Sequence, residues 1–230
     1  MVACLCIHGY TGTPDELKPL ADYLKEHTDW DVLTPTLPGH DKPYHLRNAT
    51  YQDWIIFMES ILTQLLKEDD EVYLIGFSMG GLLAGWLARH HPEVKKLALL
   101  STSVHYLDWP NLVDNQGQMF VEVKDKKLKN SSVFSRCFKR FTDVPSQSKA
   151  QFAKMVMQAK PALAHLEIPT FIAQGGMDAV ISAKQSVDYL METIPGPKRL
   201  LIMEEAGHLL CQDKDREVLF ENLLGFLKES

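Results

Sequence analysis

Val72-Tyr73-Leu74-Ile75-Gly76-Phe77-Ser78-Met79-Gly80-Gly81-Leu82-Leu83-Ala84-Gly85-Trp86-Leu87-Ala88 decides how this 230-residue chain is read. Val72–Ile75 is a continuous apolar run, as a strand buried on both faces requires, and the residues after Gly81 continue as an apolar helix. Between them one serine stands in a Gly-x-Ser-x-Gly pattern. With Gly and Ser each near 7% of ordinary proteins, chance produces that pattern in a chain this long with a probability of roughly 0.1. Its position between strand and helix is what gives it weight. So tight a turn forces the middle residue into strained backbone geometry and projects its side chain outward. The flanking glycines are needed because side chains there would meet neighbouring backbone. The helix start behind Ser78 offers free N–H groups and a positive dipole to an anion.

Outward from this stretch, short β-rich runs alternate with longer amphipathic ones. Val2–Ile7 reads as a buried strand, and Thr13-Pro14-Asp15-Glu16 as a helix start with Thr13 as N-cap and Glu16 completing a capping box. Leu17, Leu20, Tyr23 and Leu24 give that helix its apolar stripe. Trp30–Pro35 is a second strand, ended by Leu37-Pro38-Gly39-His40-Asp41, and Tyr51–Lys67 a helix behind Thr50 with Asp53 in the box position. Then come Glu71–Phe77 (strand), Met79–His91 (helix), and strands at Lys96–Thr102, Ile168–Gly175 and Lys198–Glu204. Ser182 caps a helix with Gln185 three residues on, and Asp213–Glu229 is the last helix. Such alternation predicts βαβ units, an α/β fold and a parallel sheet.

Ser103–Leu166 breaks the rhythm. It is rich in aromatic residues (Tyr106, Trp109, Phe120, Phe134, Phe138, Phe141, Phe152) and holds a basic cluster from Lys124 to Arg140. A structureless loop of that length would be anomalous. The expected organisation is therefore a core of residues 1–102 and 167–230 with residues 103–166 inserted over one edge of the sheet.

Composition is that of a globular protein, 45% hydrophobic and 23% charged. The balance of 24 basic against 30 acidic residues, net −6, provides no positive field to recruit nucleic acid or an anionic membrane. No apolar run approaches the roughly 18 residues of a membrane span. Cys4, Cys6, Cys137 and Cys211 lack metal-ligand spacing, and no His-Glu-x-x-His pattern occurs, so neither a metal nor another cofactor is expected. The start of the chain has no basic segment ahead of its apolar run, and reduced thiols point to the cytoplasm.

A serine hydroxyl needs a base to take its proton. Of nine histidines, His208 in Glu205-Ala206-Gly207-His208 stands just beyond the last strand, where the catalytic groups of open α/β sheets collect. An orienting carboxylate is expected at Asp178, after the preceding strand in Gly175-Gly176-Met177-Asp178. The rival position after Lys96–Thr102 holds no acid nearer than Asp108. His8-Gly9-Tyr10-Thr11-Gly12 ends the first strand, and its glycines let the chain pass close to a reacting carbonyl. The expected oxyanion hole is the N–H of Tyr10 with the N–H of Met79.

HGYTGTP at 8–14, PTLPGH at 35–40, GFSMGG at 76–81, GGMDAVI at 175–181 and EEAGH at 204–208 together resemble the small carboxylesterases and monoacylglycerol lipases of bacilli in the α/β-hydrolase superfamily. The resemblance covers all but the insertion. It implies a reduced, six-stranded parallel sheet flanked by helices, a triad of Ser78, Asp178 and His208, and a cap that roofs the acyl site, with Phe120 and Phe134 as substrate contacts. The implied substrate is a small acyl ester, short- to medium-chain or a monoacylglycerol. A thioesterase, C–C hydrolase or acyltransferase would use the same triad. A non-catalytic binding protein would most naturally have a broken one. Asp41 departs from the family, which has glycine there.

Overall fold

In the computed structural model, which describes residues 1–42, 45–104 and 144–229, the chain forms a six-stranded sheet between two layers of helices. Strand β1 (Val2–Ile7) lies inside it, with β2 (Asp31–Leu33) on one side and β3 (Glu71–Phe77) on the other. β4 (Lys96–Leu100), β5 (Thr170–Gly175) and β6 (Lys198–Met203) extend the far side. The order is β2-β1-β3-β4-β5-β6, every pairing parallel.

Side chains alternate across each strand, so the sheet feeds two cores. Ala3, Leu5, Ile7, Val72, Leu74, Leu97, Leu99 and Ile172 enter one, which is completed by α2 (Tyr51–Glu68), α3 (Met79–His90), α4 (Ser146–Ala159) and α5 (Ala183–Thr193). Cys4, Cys6, Tyr73, Ile75, Phe77, Leu100 and Phe171 enter the other, against α1 (Lys18–His27) and α6 (Arg216–Lys228). The buried thiols of Cys4, Cys6 and Cys211 are free, and burial pushes that of Cys6 up to about 12. From β1 the chain moves first to β2 and then back past β1 to β3. The strand order therefore reverses between β1 and β3, the place where open α/β sheets hold their ligands.

The expected ends of β1 and β3 hold, as does the Thr50–Asp53 capping box of α2. Two helix starts differ. Pro14–Glu16 is a separate 3₁₀ turn and α1 begins at Lys18, because Glu16 does not close a box on Thr13; its carboxylate accepts the Gly9 N–H at 3.0 Å. The last helix begins at Arg216 rather than Asp213, whose side chain instead accepts the Asp215 N–H at 3.1 Å in a local turn. β4 ends at Leu100, where Ser101 takes a left-handed φ of 43°.

Within 103–166, α4 and the 3₁₀ stretch Lys160–His165 lie over α3, with Phe152, Met155, Val156, Ala159 and Leu163 in the same core as α2. Tyr106, Asp108, Trp109, Phe120, the basic cluster, Phe134, Cys137, Phe138 and Phe141 lie outside the described residues. Among the described residues no helix is long and apolar enough to cross a membrane.

Candidate active site

Ser78 joins β3 to α3 with φ 54° and ψ −118°, a conformation non-glycine residues rarely adopt. The turn is held by Ser78 N–H donating to the Leu100 carbonyl at 2.9 Å and by Gly81 N–H donating to the Ser78 carbonyl at 3.1 Å. Gly76 and Gly80 make it possible. A Cβ on Gly76 would stand 2.3 Å from the Gly80 carbonyl oxygen, and one on Gly80 2.1 Å from that of Ile7. Helix α3 thus begins against the end of β1.

The structure brings Ser78, His208 and Asp178 together from the ends of three elements. His208 Nε2 lies 3.1 Å from Ser78 Oγ, and His208 Nδ1 lies 2.7 Å from Asp178 Oδ2. A carboxylate only accepts, so the imidazole proton sits on Nδ1 and Nε2 presents its lone pair to the serine. The Asp178 side chain is fully covered, and every oxygen is used. Oδ1 accepts the N–H groups of Val180 (2.8 Å) and Ile181 (3.1 Å), and Oδ2 also accepts Gln174 Nε2 at 2.9 Å. The Phe77 ring lies 5.0 Å from the His208 ring and walls that side.

The loop after β1 runs beside the serine: a Cβ on Gly9 would stand 3.2 Å from Ser78 Cβ. It is a tight turn, closed by Gly12 N–H donating to the Gly9 carbonyl at 3.2 Å, with Thr11 at φ 63°. His8 ties it to the loop after β2, since Nδ1 donates to the Gly9 carbonyl at 2.9 Å while Nε2 accepts the Leu37 N–H at 3.0 Å. This use of both nitrogens requires the neutral ring, and burial lowers the His8 pKa to about 4. His40 packs edge-on at 5.0 Å, donating Nδ1 to the Pro38 carbonyl, and burial with His8 nearby takes it to about 3. Asp41, the departure from the family pattern, faces solvent and pairs with His45 at 2.8 Å.

The side chain of Tyr10 leaves this loop toward α4. Its ring stacks on Phe152 at 4.8 Å and 13°, and its hydroxyl shares a 2.8 Å hydrogen bond with the buried Ser148. The Met79 N–H belongs to the first turn of α3, where a helix leaves its N–H groups without intrahelical partners. Of the residues expected at the site, Phe120 and Phe134 lie outside the described residues. Sequence reasoning missed Gln174, Ser148 and the role of Glu16. Gln174 had a signal, a lone amide inside an otherwise apolar strand; Ser148 had none, its contact being 138 residues away.

A serine, an imidazole and a buried carboxylate thus stand in series beyond the strand ends of a parallel sheet. A family described as alpha/beta hydrolase fold matches residues 3–132. The chain belongs to the α/β-hydrolase fold family and is an enzyme of its esterase and lipase kind. It is similar to a thermostable monoacylglycerol lipase of Bacillus sp. (strain H-257), 26% identical over 98% of this chain and 90% of the relative. A carboxylesterase of Bacillus subtilis (strain 168) is 24% identical over 99% and 92%. Among solved structures, one from work on the metagenome-derived lipolytic enzymes LipS and LipT superposes with a TM-score of 0.80 at 20% identity, covering 100% of this chain and 94% of that one. An esterase from Exiguobacterium antarcticum gives 0.68 at 19%, covering 100% and 92%. These two likenesses are of fold.

Proposed function

We propose that the chain is a serine hydrolase of carboxylic esters that works through an acyl-enzyme, with Ser78 as nucleophile, His208 as base and Asp178 as the group that orients it. The observation that carries this is the unbroken series from Ser78 Oγ through His208 to Asp178, at 3.1 Å and 2.7 Å. Ser78 Oγ attacks the ester carbonyl as its proton passes to His208 Nε2. The carbonyl oxygen takes the negative charge and accepts the N–H groups of Tyr10 and Met79, which stabilise it more than the uncharged ester. His208 returns the proton to the departing alcohol oxygen, leaving Ser78 acylated. Water then repeats the sequence, its proton going to His208 and then back to Ser78 as the acid leaves. Every proton transfer runs through one ring nitrogen, and no further group is called on.

The names of the Bacillus relatives and the aromatic content of 103–166 favour uncharged acyl esters, short- to medium-chain or monoacylglycerols. Residues 103–166 are assigned the roof of the acyl site. The part of it that is described reaches the oxyanion loop through Phe152 and Ser148. The free thiols of Cys4, Cys6 and Cys211 support the cytoplasm as its compartment.

A panel of p-nitrophenyl esters and monoacylglycerols tests the reading. Purified protein should hydrolyse them with a defined optimum of acyl length, unaffected by chelators. Ser78→Ala and His208→Ala should each lower kcat by about 10⁴–10⁶ because members of a triad act as a unit. A folded Ser78→Ala protein with near-native turnover would overturn the assignment.

A further inference from the structure

Strand β6 ends the sheet, and among the described residues no strand pairs with its outer side. The carbonyls of Pro197 and Met203 face β5, accepting the N–H groups of Thr170 and Gly176, each at 2.9 Å. Peptide groups alternate sides along a strand, so the N–H and C=O groups of Lys198, Leu200 and Ile202 point away from the sheet. The side chains of these same residues share one face, where Leu200 is 38% and Ile202 36% exposed, and the exposed Glu204 follows as the first residue of the turn after the strand. The other face is occupied: Leu201 packs on the α1–α6 core, and Arg199 binds both carboxylate oxygens of Glu229 at 2.9 and 2.7 Å.

We infer that β6 pairs antiparallel with β6 of a second copy, about a two-fold axis normal to the sheet that runs between the two strands at the level of Leu201. Such an axis keeps every residue on its own face, so cross-strand partners must both be even or both odd. The outward peptide groups belong to the even residues, which therefore form the hydrogen-bonded pairs. Centred on Leu201, this register sets Lys198 opposite Glu204 twice and Leu200 opposite Ile202 twice. Centred on Leu200 it would set Lys198 against Ile202, and centred on Ile202 it would set Leu200 against Glu204. Only the Leu201 register matches charge to charge and aliphatic to aliphatic, the pairings that stabilise neighbouring strands. The complement of this edge is the edge itself, which selects a second copy as the occupant. Lys198 Nζ donates to the Ile194 carbonyl, and its remaining N–H groups serve Glu204. A two-fold contact closes after two copies and uses up the exposed edge.

Light scattering over a micromolar to submillimolar series tests this without reading hydrolysis. The wild type should pass from 26.1 kDa to twice that mass as concentration rises. Lys198→Glu sets one carboxylate against another in each of the two pairs with Glu204 and should weaken association about tenfold or more. Combining Lys198→Glu with Glu204→Lys rebuilds both pairs with their signs exchanged and should restore the dimer. Ile202→Lys, at an exposed position, should give a folded monomer, and it decides the matter should the double variant not fold by circular dichroism. A wild type that stays at 26.1 kDa throughout overturns the inference. So does a dimer indifferent to Lys198→Glu and Ile202→Lys, or a folded double variant as dissociated as the single one.

Discussion

Asp178 is fixed before any substrate arrives, because one oxygen is held by two backbone N–H groups and the other by Gln174 and His208. An amide in its place keeps the shape but offers an NH₂ group where only acceptors fit. It would also hold His208 in the wrong tautomer. Asp178→Asn should therefore lower kcat by about 10⁴ with KM little changed, as loss of the orienting acid does in a serine triad. Asp108→Asn should leave kcat near that of the wild type. Steady-state kinetics on one ester distinguish them, and the reverse pattern would move the acid to the end of β4. The three residues of the series were legible in the sequence because each stands within five residues of the end of a strand, with a glycine one or two positions away. Ser148 was not, since a serine inside an amphipathic helix signals nothing until the fold sets it against Tyr10.

Helix α4 belongs to the segment expected to roof the site, yet its apolar face completes the core beside α3. Its contact with Tyr10 makes it a support for the loop that carries the Tyr10 amide. Tyr10→Phe and Ser148→Ala each delete one hydrogen bond, at a stability cost of about 1 kcal/mol by melting. If the bond also aims the Tyr10 amide, each should lower kcat severalfold with KM nearly constant, and the double variant should be no worse than either alone. Additive losses would show two independent roles. The elements themselves were legible wherever hydrophobic period and capping agreed, as at β1, β3 and α2. They were misplaced at α1 and α6, where a side chain had a competing local partner: Glu16 turned back to Gly9, and Asp213 closed its own turn. Capping patterns name the residues able to close a helix, not the partner each one takes.

At the scale of the whole molecule, the described residues form two cores divided by one sheet, and His8 and His40 lie where the loops after β1 and β2 close over it. Their pKa values, lowered to about 4 and about 3, link folding to pH. Both bind a proton less readily when folded than at the ordinary value near 6.5. Their contribution is thus complete above pH 6.5 and is lost as pH falls toward 4, where the unfolded chain holds the extra protons. His8 alone should account for a loss of about 3 kcal/mol by pH 4, at 1.36 kcal/mol per pKa unit. Urea melts between pH 4 and 7 should show stability falling with acidity, with a shallower slope in His40→Gln; a flat profile would contradict the buried neutral pair. At this scale the sequence was legible in its alternation of strands and helices, which implies a parallel sheet and its layers. The helix that finishes the α3 core lies within 103–166, the segment that breaks this alternation and so gave no rhythm from which to place it.

The central claim, that Ser78 is the nucleophile, is tested most directly by an alkyl fluorophosphonate followed by intact mass and peptide mapping. The account predicts one adduct per chain, at Ser78, formed in step with loss of ester hydrolysis and greatly slowed in His208→Ala. Labelling at Ser101 or Ser103, or an unlabelled chain inactivated by the reagent, would contradict it.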